Sequence, residues 1–353
     1  MLRGGGLGDL LYAMPAAESL ASAYPNAEIT LLGTPMHLAL LGARPSPFHR
    51  IEVLPPWPGV RAGAADPAAV ADFFDRMVAC RFDLTVQVHG GGRNSNPFLL
   101  TLGAAHTVGA ATEDAVPLER TLPFVYYQHE VLRALEVVAL AGAPPIQLEP
   151  GLRLTEEELT LHRRRGQRAT DSTPKVLVHP GATDPRRRWP WESFAALAVQ
   201  LVKEGAEVVL IGDQSDIELA GQILYRARSA GATTGLSDLT GQTSLADLIP
   251  LLLQASVVVA NDSGPRHLAA AVGIPTVGIY WCGNLVNSGP LSRNHHRVQI
   301  SWTTHCSVCR QDVTKVGAQR CEHDDSRVSS VELDAVLADA RALLSIPPSR
   351  LAA

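Results

Sequence analysis

The chain has 353 residues, of which 46% are apolar and 18% charged, with a formal charge of -5. That length accommodates two domains of ordinary size, and the composition excludes disorder, collagen-like repeats and coiled coil. Thirty Lys and Arg against 35 Asp and Glu leave no overall basic field, so no nucleic-acid partner is expected and phosphate recognition has to be local.

From the N-terminus, the glycine-rich turn Gly4-Gly5-Gly6-Leu7-Gly8-Asp9 opens into a segment of helical apolar spacing over 10–20. Pro15 falls early enough in it to be tolerated or to kink it. The sequence then predicts strands over 28–32, 50–54 and 83–88, with helices near 35–43 and 67–80 between them. Alternating strand and helix implies parallel sheet. A short helix follows Thr155, with Glu156, Glu157 and Glu158 in its first turn and Arg163-Arg164-Arg165-Gly166 closing it. That charge order suits both capping and the helix dipole. The basic run from Arg163 to Arg168 reads as this helix end, with an anionic membrane or acidic acceptor as the other reading. The polar stretch 167–174 is the predicted linker.

The same grammar then repeats: a strand over 175–179, a helix near 192–204, a strand over 206–211 and a helix near 215–228. After these come a helix over 245–254, a strand over 255–260, a helix over 265–272 and a strand over 275–279. The run Ser329-Ser330-Val331-Glu332 has the form of a capping box for a last helix reaching about 344. The expected organisation is thus a first α/β domain over 1–166, the linker, a second α/β domain over 175–328, and a C-terminal helix and tail over 329–353. The five cysteines are too few for a disulfide scaffold, and no initial segment has a signal peptide's layout, so a cytoplasmic location is expected. The most apolar stretch, 248–260, is interrupted by Pro250, Gln254 and Ser256 and is too short to cross a bilayer, which leaves a peripheral membrane contact open.

Three segments carry chemistry. In the first, a β-branched strand runs through Asn261 into Asp262-Ser263-Gly264-Pro265, with His267 one helical turn further. Free N–H groups at the helix start, and a glycine that allows close approach, make an anion site suited to a diphosphate. The second is Asp184-Pro185-Arg186-Arg187-Arg188-Trp189 after the strand ending at His179. Its guanidinium groups stand where open parallel sheets bind ligands, and they match phosphate oxygens bidentately. The third is the opening turn, where Asp9 occupies the place of a dinucleotide-fingerprint glycine. Nicotinamide binding is therefore disfavoured, and a carboxylate at a helix N-terminus remains as a candidate base.

Taken in order, Arg3 to Asp9 with Pro15-Ala16 and Tyr24-Pro25, His179-Pro180-Gly181 with Arg187-Arg188-Trp189-Pro190, and Asp262-Ser263-Gly264-Pro265 with His267-Leu268 resemble glycosyltransferase family 9, the ADP-heptose:lipopolysaccharide heptosyltransferases. The resemblance implies the GT-B architecture, two Rossmann-like α/β domains facing across a cleft, and an inverting reaction that needs no metal or other cofactor. It implies a nucleotide-sugar donor, ADP-linked, held on the C-terminal domain, and a glycan or glycolipid acceptor on the N-terminal side. It places the catalytic base on Asp9 and leaving-group stabilisation on Arg187, with Arg188, Asp216, Asp262, Ser263, Gly264 and His267 around the donor. Gly8, His89 and Arg93 fall on the acceptor side, with a peripheral inner-membrane contact.

Two departures from the family pattern stand out. The strand before the glycine turn is only Met1-Leu2-Arg3, and Tyr280-Trp281-Cys282-Gly283-Asn284 replaces a common Phe-Gly-Pro-Thr-Asp, so the donor pocket is expected to differ. Two other functions fit the same fold: a sugar-nucleotide epimerase, and a nucleotide-binding protein without turnover. Finally, Cys306, Cys309, Cys321 and His323 are a set able to ligate zinc, but their spacing matches no standard finger, and the sequence reading is reduced structural thiols.

Overall fold

Strand, turn and helix alternate along the computed structural model, which describes residues 1–166, 173–317 and 319–346. The chain divides into two compact units, Met1–Arg153 and Leu154–Ala353. Residues 167–172 of the predicted linker, and with them Arg168, lie outside the described residues.

The first unit contains α1 (Leu7–Ala23), β1 (Thr30–Gly33), α2 (Pro35–Leu41), β2 (Arg50–Val53), α3 (Pro67–Ala79) and β3 (Leu84–Gln87). It continues with α4 (Ser95–Leu100), β4 (His106–Ala111), β5 (Arg120–Pro123) and α5 (Glu130–Leu140). β1 pairs with β2, and β3 with β4 and β4 with β5, all in parallel. The gap between the two ladders is closed by the first three residues. Leu2 donates its N–H to Val86 (2.8 Å) and accepts from Val88 (3.2 Å), while Arg3 donates to Leu32 (3.1 Å) and Leu32 donates to Met1 (2.9 Å). The short segment noted in the sequence is therefore a central strand, and the glycine turn leaves directly from its end. Leu2, Leu32, Leu54, Phe73, Met77 and Phe98 form the core on one side of it. On α1, Ala13, Ala16 and Ala17 are buried, small enough to let this helix pack closely on α5. Pro15 lies within α1 without ending it. Met1's amino group donates to the Thr30 carbonyl at 2.9 Å, and burial pushes its pKa down to about 5. A cavity of about 870 Å3 opens beside Met1, Thr30 and Thr85, on strand ends away from the glycine turn.

The second unit contains α6 (Glu156–Gly166), β6 (Lys175–His179), α7 (Trp191–Lys203), β7 (Glu207–Leu210), α8 (Ile217–Ser229) and β8 (Leu236–Asp238). Then come α9 (Leu245–Leu252), β9 (Val257–Asn261), α10 (Gly264–Ala271), β10 (Thr276–Trp281), α11 (Cys282–Ser288), β11 (His296–Ser301) and α12 (Leu333–Leu344). Its parallel sheet has the order β11-β10-β9-β6-β7-β8. The central β9, Val257-Val258-Val259-Ala260-Asn261, is buried throughout, as expected of a parallel strand covered on both faces. Trp189 and Phe194 meet edge to face at 5.0 Å within the core that α7 and α12 build on this sheet.

The capping box at 155–158 is present: Thr155 N–H donates to Glu158 at 2.8 Å, and Glu158 N–H donates to Thr155 Oγ1 at 3.3 Å. The one expected at 329–332 is not. Helix α12 starts behind Glu332 without a side-chain cap, because Ser330 Oγ pairs with Ser301 Oγ at 2.7 Å and Ser329 Oγ donates to the Ser326 carbonyl at 3.1 Å.

His37 is fully buried under the glycine turn, and burial pushes its pKa down to about 4. The unfolded chain takes up that proton near pH 6.5 while the folded chain refuses it, so stability falls as the pH drops from about 6.5 to about 4. His37→Gln is expected to remove about 3 kcal/mol of that pH dependence, read from urea unfolding across that interval; an unchanged slope counts against this origin.

Candidate active-site elements

In the first unit, the strand end at Arg3 and the start of α1 are joined by Gly4, Gly5 and Gly6. Gly5 takes φ +89, and a Cβ there would collide with the Asp9 carboxylate. Asp9 sits in the first turn of α1, where its Oδ2 accepts the Gly6 N–H at 2.8 Å. Its Oδ1 is ion-paired with Arg3, which is 5% exposed, whereas Asp9 itself is 45% exposed. Arg3 also donates to the Val88 carbonyl and lies 3.4 Å from Glu130 Oε2. The carboxylate is thus fixed from behind and open in front. Gly8 lies in the first turn of the same helix.

His89 faces the turn. Its Nδ1 accepts the Gly4 N–H at 3.2 Å, and its Nε2 lies 2.9 Å from the Gly59 carbonyl, which assigns the proton to Nε2. Burial and then the Arg3 charge push its pKa down, so a neutral ring props the glycine turn. Arg93 is 75% exposed and 3.4 Å from Asp114. The intervening Gly90 and Gly92 both have positive φ, and a side chain on Gly92 would run into Asn96 and the Ala110 carbonyl.

In the second unit the chemistry gathers where β6 and β9 end. Asp262 is 4% exposed, so its lone pairs have to be met within the protein. Oδ1 faces His267 Nε2 at 3.0 Å, and Oδ2 faces Arg187 at 3.4 Å and Asn284 Nδ2 at 3.0 Å, while Ser288 Oγ lies 3.2 Å from both. Burial alone would raise the carboxyl's pKa; the His267 hydrogen bond and the charges of His267, Arg187 and Arg266 outweigh it and bring it down. Arg266, itself buried, reaches His267 Nδ1 and stacks on the Tyr280 ring at 5.3 Å.

The arginine loop is held at both ends by one amide. Asn261 Oδ1 accepts the Trp189 N–H at 3.0 Å, and its Nδ2 donates to the Pro180 carbonyl at 2.7 Å. Between them, Asp184 caps a 3-10 turn and binds the Arg186 guanidinium at 2.9 and 3.1 Å. Burial acts upward on Asp184, but Arg186 prevails and its pKa falls to about 2. Arg186 is thereby used up locally. Arg187 is half-buried against Asp262, and Arg188 Nε donates to the Ala182 carbonyl at 2.9 Å.

Ser263 precedes α10 without capping it; its hydroxyl pairs with His179 Nδ1 at 2.9 Å, which leaves the first N–H groups behind Gly264 uncapped by that side chain. Asp216 is buried 3.4 Å from His179 Nε2 and accepts the Asp213 N–H at 3.3 Å. Gly181 and Gly212 provide its space, since a Cβ at either would strike its side chain. At the same turn Asp213 is exposed. Within the second unit, therefore, Arg187, Arg188, Asp262, Ser263, Gly264 and His267 share one sheet edge, and Asp216 reaches it through His179. From the sequence alone, Asn261, Arg266, Asn284, Ser288 and His37 carry no role. A polar Asn closing an otherwise apolar strand was the available signal for the first. Cys306, Cys309, Cys321 and His323 also come together, with their ligand atoms within 4.8 Å of one another.

Two parallel-sheet α/β units with glycine-containing turns at their strand ends have the GT-B architecture, and solved structures share the fold. A glycosyl transferase family 9 structure from Veillonella parvula superposes with TM-score 0.75 at 20% identity, covering 97% of this chain and 95% of that one. The E. coli ADP-heptose lps heptosyltransferase II gives TM-score 0.69 at 22% identity over 97% and 98% of the two chains. The model of glycosyltransferase family 9 (heptosyltransferase) matches residues 70–318, and the chain belongs to that family. The lipopolysaccharide heptosyltransferase 2 of Salmonella typhimurium is 32% identical over 191 residues, 53% of this chain and 53% of that protein. The chain thus spans about half the length of the curated relatives that it matches first.

Because Asn261 ties Trp189 to Pro180, Asn261→Ala strands a buried N–H and a buried carbonyl. A loss of about 2–4 kcal/mol in urea unfolding is expected; a loss below about 0.5 kcal/mol would show the loop to be held otherwise.

Proposed function

We propose that the chain is an inverting glycosyltransferase that moves a sugar from a nucleotide-diphosphate donor, ADP-heptose, to a hydroxyl of a lipopolysaccharide or related glycolipid precursor. Support for the class comes from family membership. Support for the donor comes from the similar E. coli protein, which is an ADP-heptose lps heptosyltransferase. The observation that carries the reading is the arginine loop: Arg187 is held by a buried carboxylate beside the start of α10. A guanidinium aimed in this way stabilises the charge of a departing diphosphate, and the N–H groups at the start of α10 add donors of the same sign.

Asp9 supplies the opposite function. Its two oxygens are oriented by Arg3 and Gly6, yet the carboxylate remains exposed and retains lone pairs for an acceptor hydroxyl. As the acceptor oxygen attacks the anomeric carbon, its proton passes to Asp9, and the bond from that carbon to the diphosphate oxygen breaks. Attack opposite the leaving group inverts the anomeric centre. Asp262 and Asp216 take positioning roles, since their carboxylates are buried and satisfied by this chain's own donors, and the exposed Asp213 at the same turn takes the ribose hydroxyls. A peripheral contact with the membrane that carries the acceptor completes the proposal; among the described residues no helix is long and apolar enough to cross a membrane.

Asp9→Asn is expected to lower kcat by about 10²–10⁴ with little change in ADP affinity. Full transfer activity in this variant would exclude Asp9 as the base. Calorimetry with ADP, UDP, GDP and CDP is expected to show a preference for ADP, weakened about tenfold or more by Arg187→Ala. Preference for another nucleotide would overturn the ADP assignment, and a net epimer formed without acceptor would overturn transfer.

A further inference from the structure

Beyond the arginine loop's anchor at Asn261, a second device bears on it from the segment between β11 and α12. Among its described residues from 302 to 325, Cys306 is the one buried side chain; Trp302, Val308 and Val316 all point to solvent. A stretch of this length with almost no apolar burial cannot hold one conformation by hydrophobic contact and needs another constraint. Its thiols supply no disulfide, since Cys306, Cys309 and Cys321 are all free.

The backbone of this segment nevertheless has definite form. His305 and Asp312 pair as an antiparallel bridge, Cys306 N–H donates to the Gln311 carbonyl at 2.9 Å, and Arg310 N–H donates to the Cys306 carbonyl at 3.0 Å. Arg310 adopts a left-handed φ of 61°, uncommon for a side chain with a Cβ. The tight turn directs the N–H groups of Val308 and Cys309 at the Cys306 sulfur and the N–H of Gln311 at the Cys309 sulfur. Backbone donors placed on both sulfurs of a Cys-x-x-Cys turn orient two thiolates toward one point.

The other two side chains arrive from the far end of the loop. The three sulfurs and the imidazole nitrogen lie within 4.8 Å of one another; tetrahedral zinc with bonds of about 2.0–2.3 Å separates its ligand atoms by about 3.5–3.8 Å, so a small contraction closes the set. The Nδ1 of His323 is buried and has no hydrogen-bond partner, a rare condition that a ligand would relieve. Charge also fits. Three thiolates and a divalent ion sum to minus one, and Arg186 and Arg327 are close enough to act electrostatically on Cys321, Arg327 on Cys306 as well.

We propose that Cys306, Cys309, Cys321 and His323 bind one zinc ion, which fixes this loop and thereby braces the arginine loop. Binding releases the three thiol protons and leaves the ion's charge compensated by sulfur and the adjacent guanidiniums. The mechanical link is short: Arg327 N–H donates to the Arg186 carbonyl at 2.8 Å, and Ser326 Oγ donates to the Arg188 carbonyl at 2.5 Å. Both donors lie within four residues of His323. The ion is structural, and the inference does not rest on the proposed transfer reaction.

Elemental analysis of the purified full chain tests it. About one equivalent of zinc per chain is expected, falling below about a tenth in C306S/C309S but remaining in C80S. Should the double variant not fold, the wild-type chain carries the test. Chelation followed by one equivalent of Co²⁺ should give the thiolate-to-cobalt charge-transfer band and the intense visible bands of a tetrahedral site. Chelation should also speed tryptic cleavage after Arg310, Lys315 or Arg320 by about tenfold. One equivalent of iron with sulfur ligation would keep the four ligands and overturn the choice of zinc. Wild-type protein with neither bound metal nor a cobalt spectrum would overturn the site, and unchanged cleavage would overturn its bracing role.

Discussion

A carboxylate removed from water has to be surrounded by donors, and in the second unit that requirement falls on Asp262. His267 comes from α10, Arg187 from the arginine loop, and Asn284 and Ser288 from α11. Three separate segments are thus drawn to one pair of oxygens. An unpaired charge at that depth would cost several kcal/mol, so Arg187 cannot wander from its place without leaving part of that cost behind. The cationic edge of this unit is organised from beneath by an anion.

The first unit uses the same logic with the signs reversed. There the buried member is Arg3, and the exposed member is Asp9. Arg3 is fixed because the strand that precedes it is paired on both sides, so the carboxylate inherits its position from main-chain hydrogen bonds. His89 adds a neutral prop under the same turn. In each unit the group offered to a ligand is held by a partner that solvent does not reach.

Much of this was legible in the sequence where apolar runs were long or turn chemistry was distinctive. Strands such as Val257 to Ala260 and the Asp-Ser-Gly turn could be placed, and so could the glycine turn with Asp9. Residues 106–111 and 120–123 escaped notice because His106-Thr107-Val108-Gly109-Ala110-Ala111 and Arg120-Thr121-Leu122-Pro123 lack the apolar density that marks a buried strand. The segment between β11 and α12 gave a spacing but no geometry: whether three cysteines and a histidine converge depends on the turn at Arg310, which no local pattern announced. The last helix misled because Ser329 and Ser330 have the right type and spacing for a cap, while tertiary partners claimed both hydroxyls. Asn261 and Arg266 were invisible as functional residues for a related reason, since their importance lies in what they touch across the fold.

The strand formed by Met1, Leu2 and Arg3 also constrains the order of assembly. It inserts between β1 and β3, and its partners on the far side are Val86 and Val88. This segment must therefore wait for more than eighty later residues before its slot exists. Contacts of such sequence separation form late and slowly. The glycine turn hangs from that strand, so Asp9 gains its final setting only when the first unit closes. If the first unit opens, the Asp9 carboxylate loses its setting even while β6, β9 and the arginine loop of the second unit stay formed.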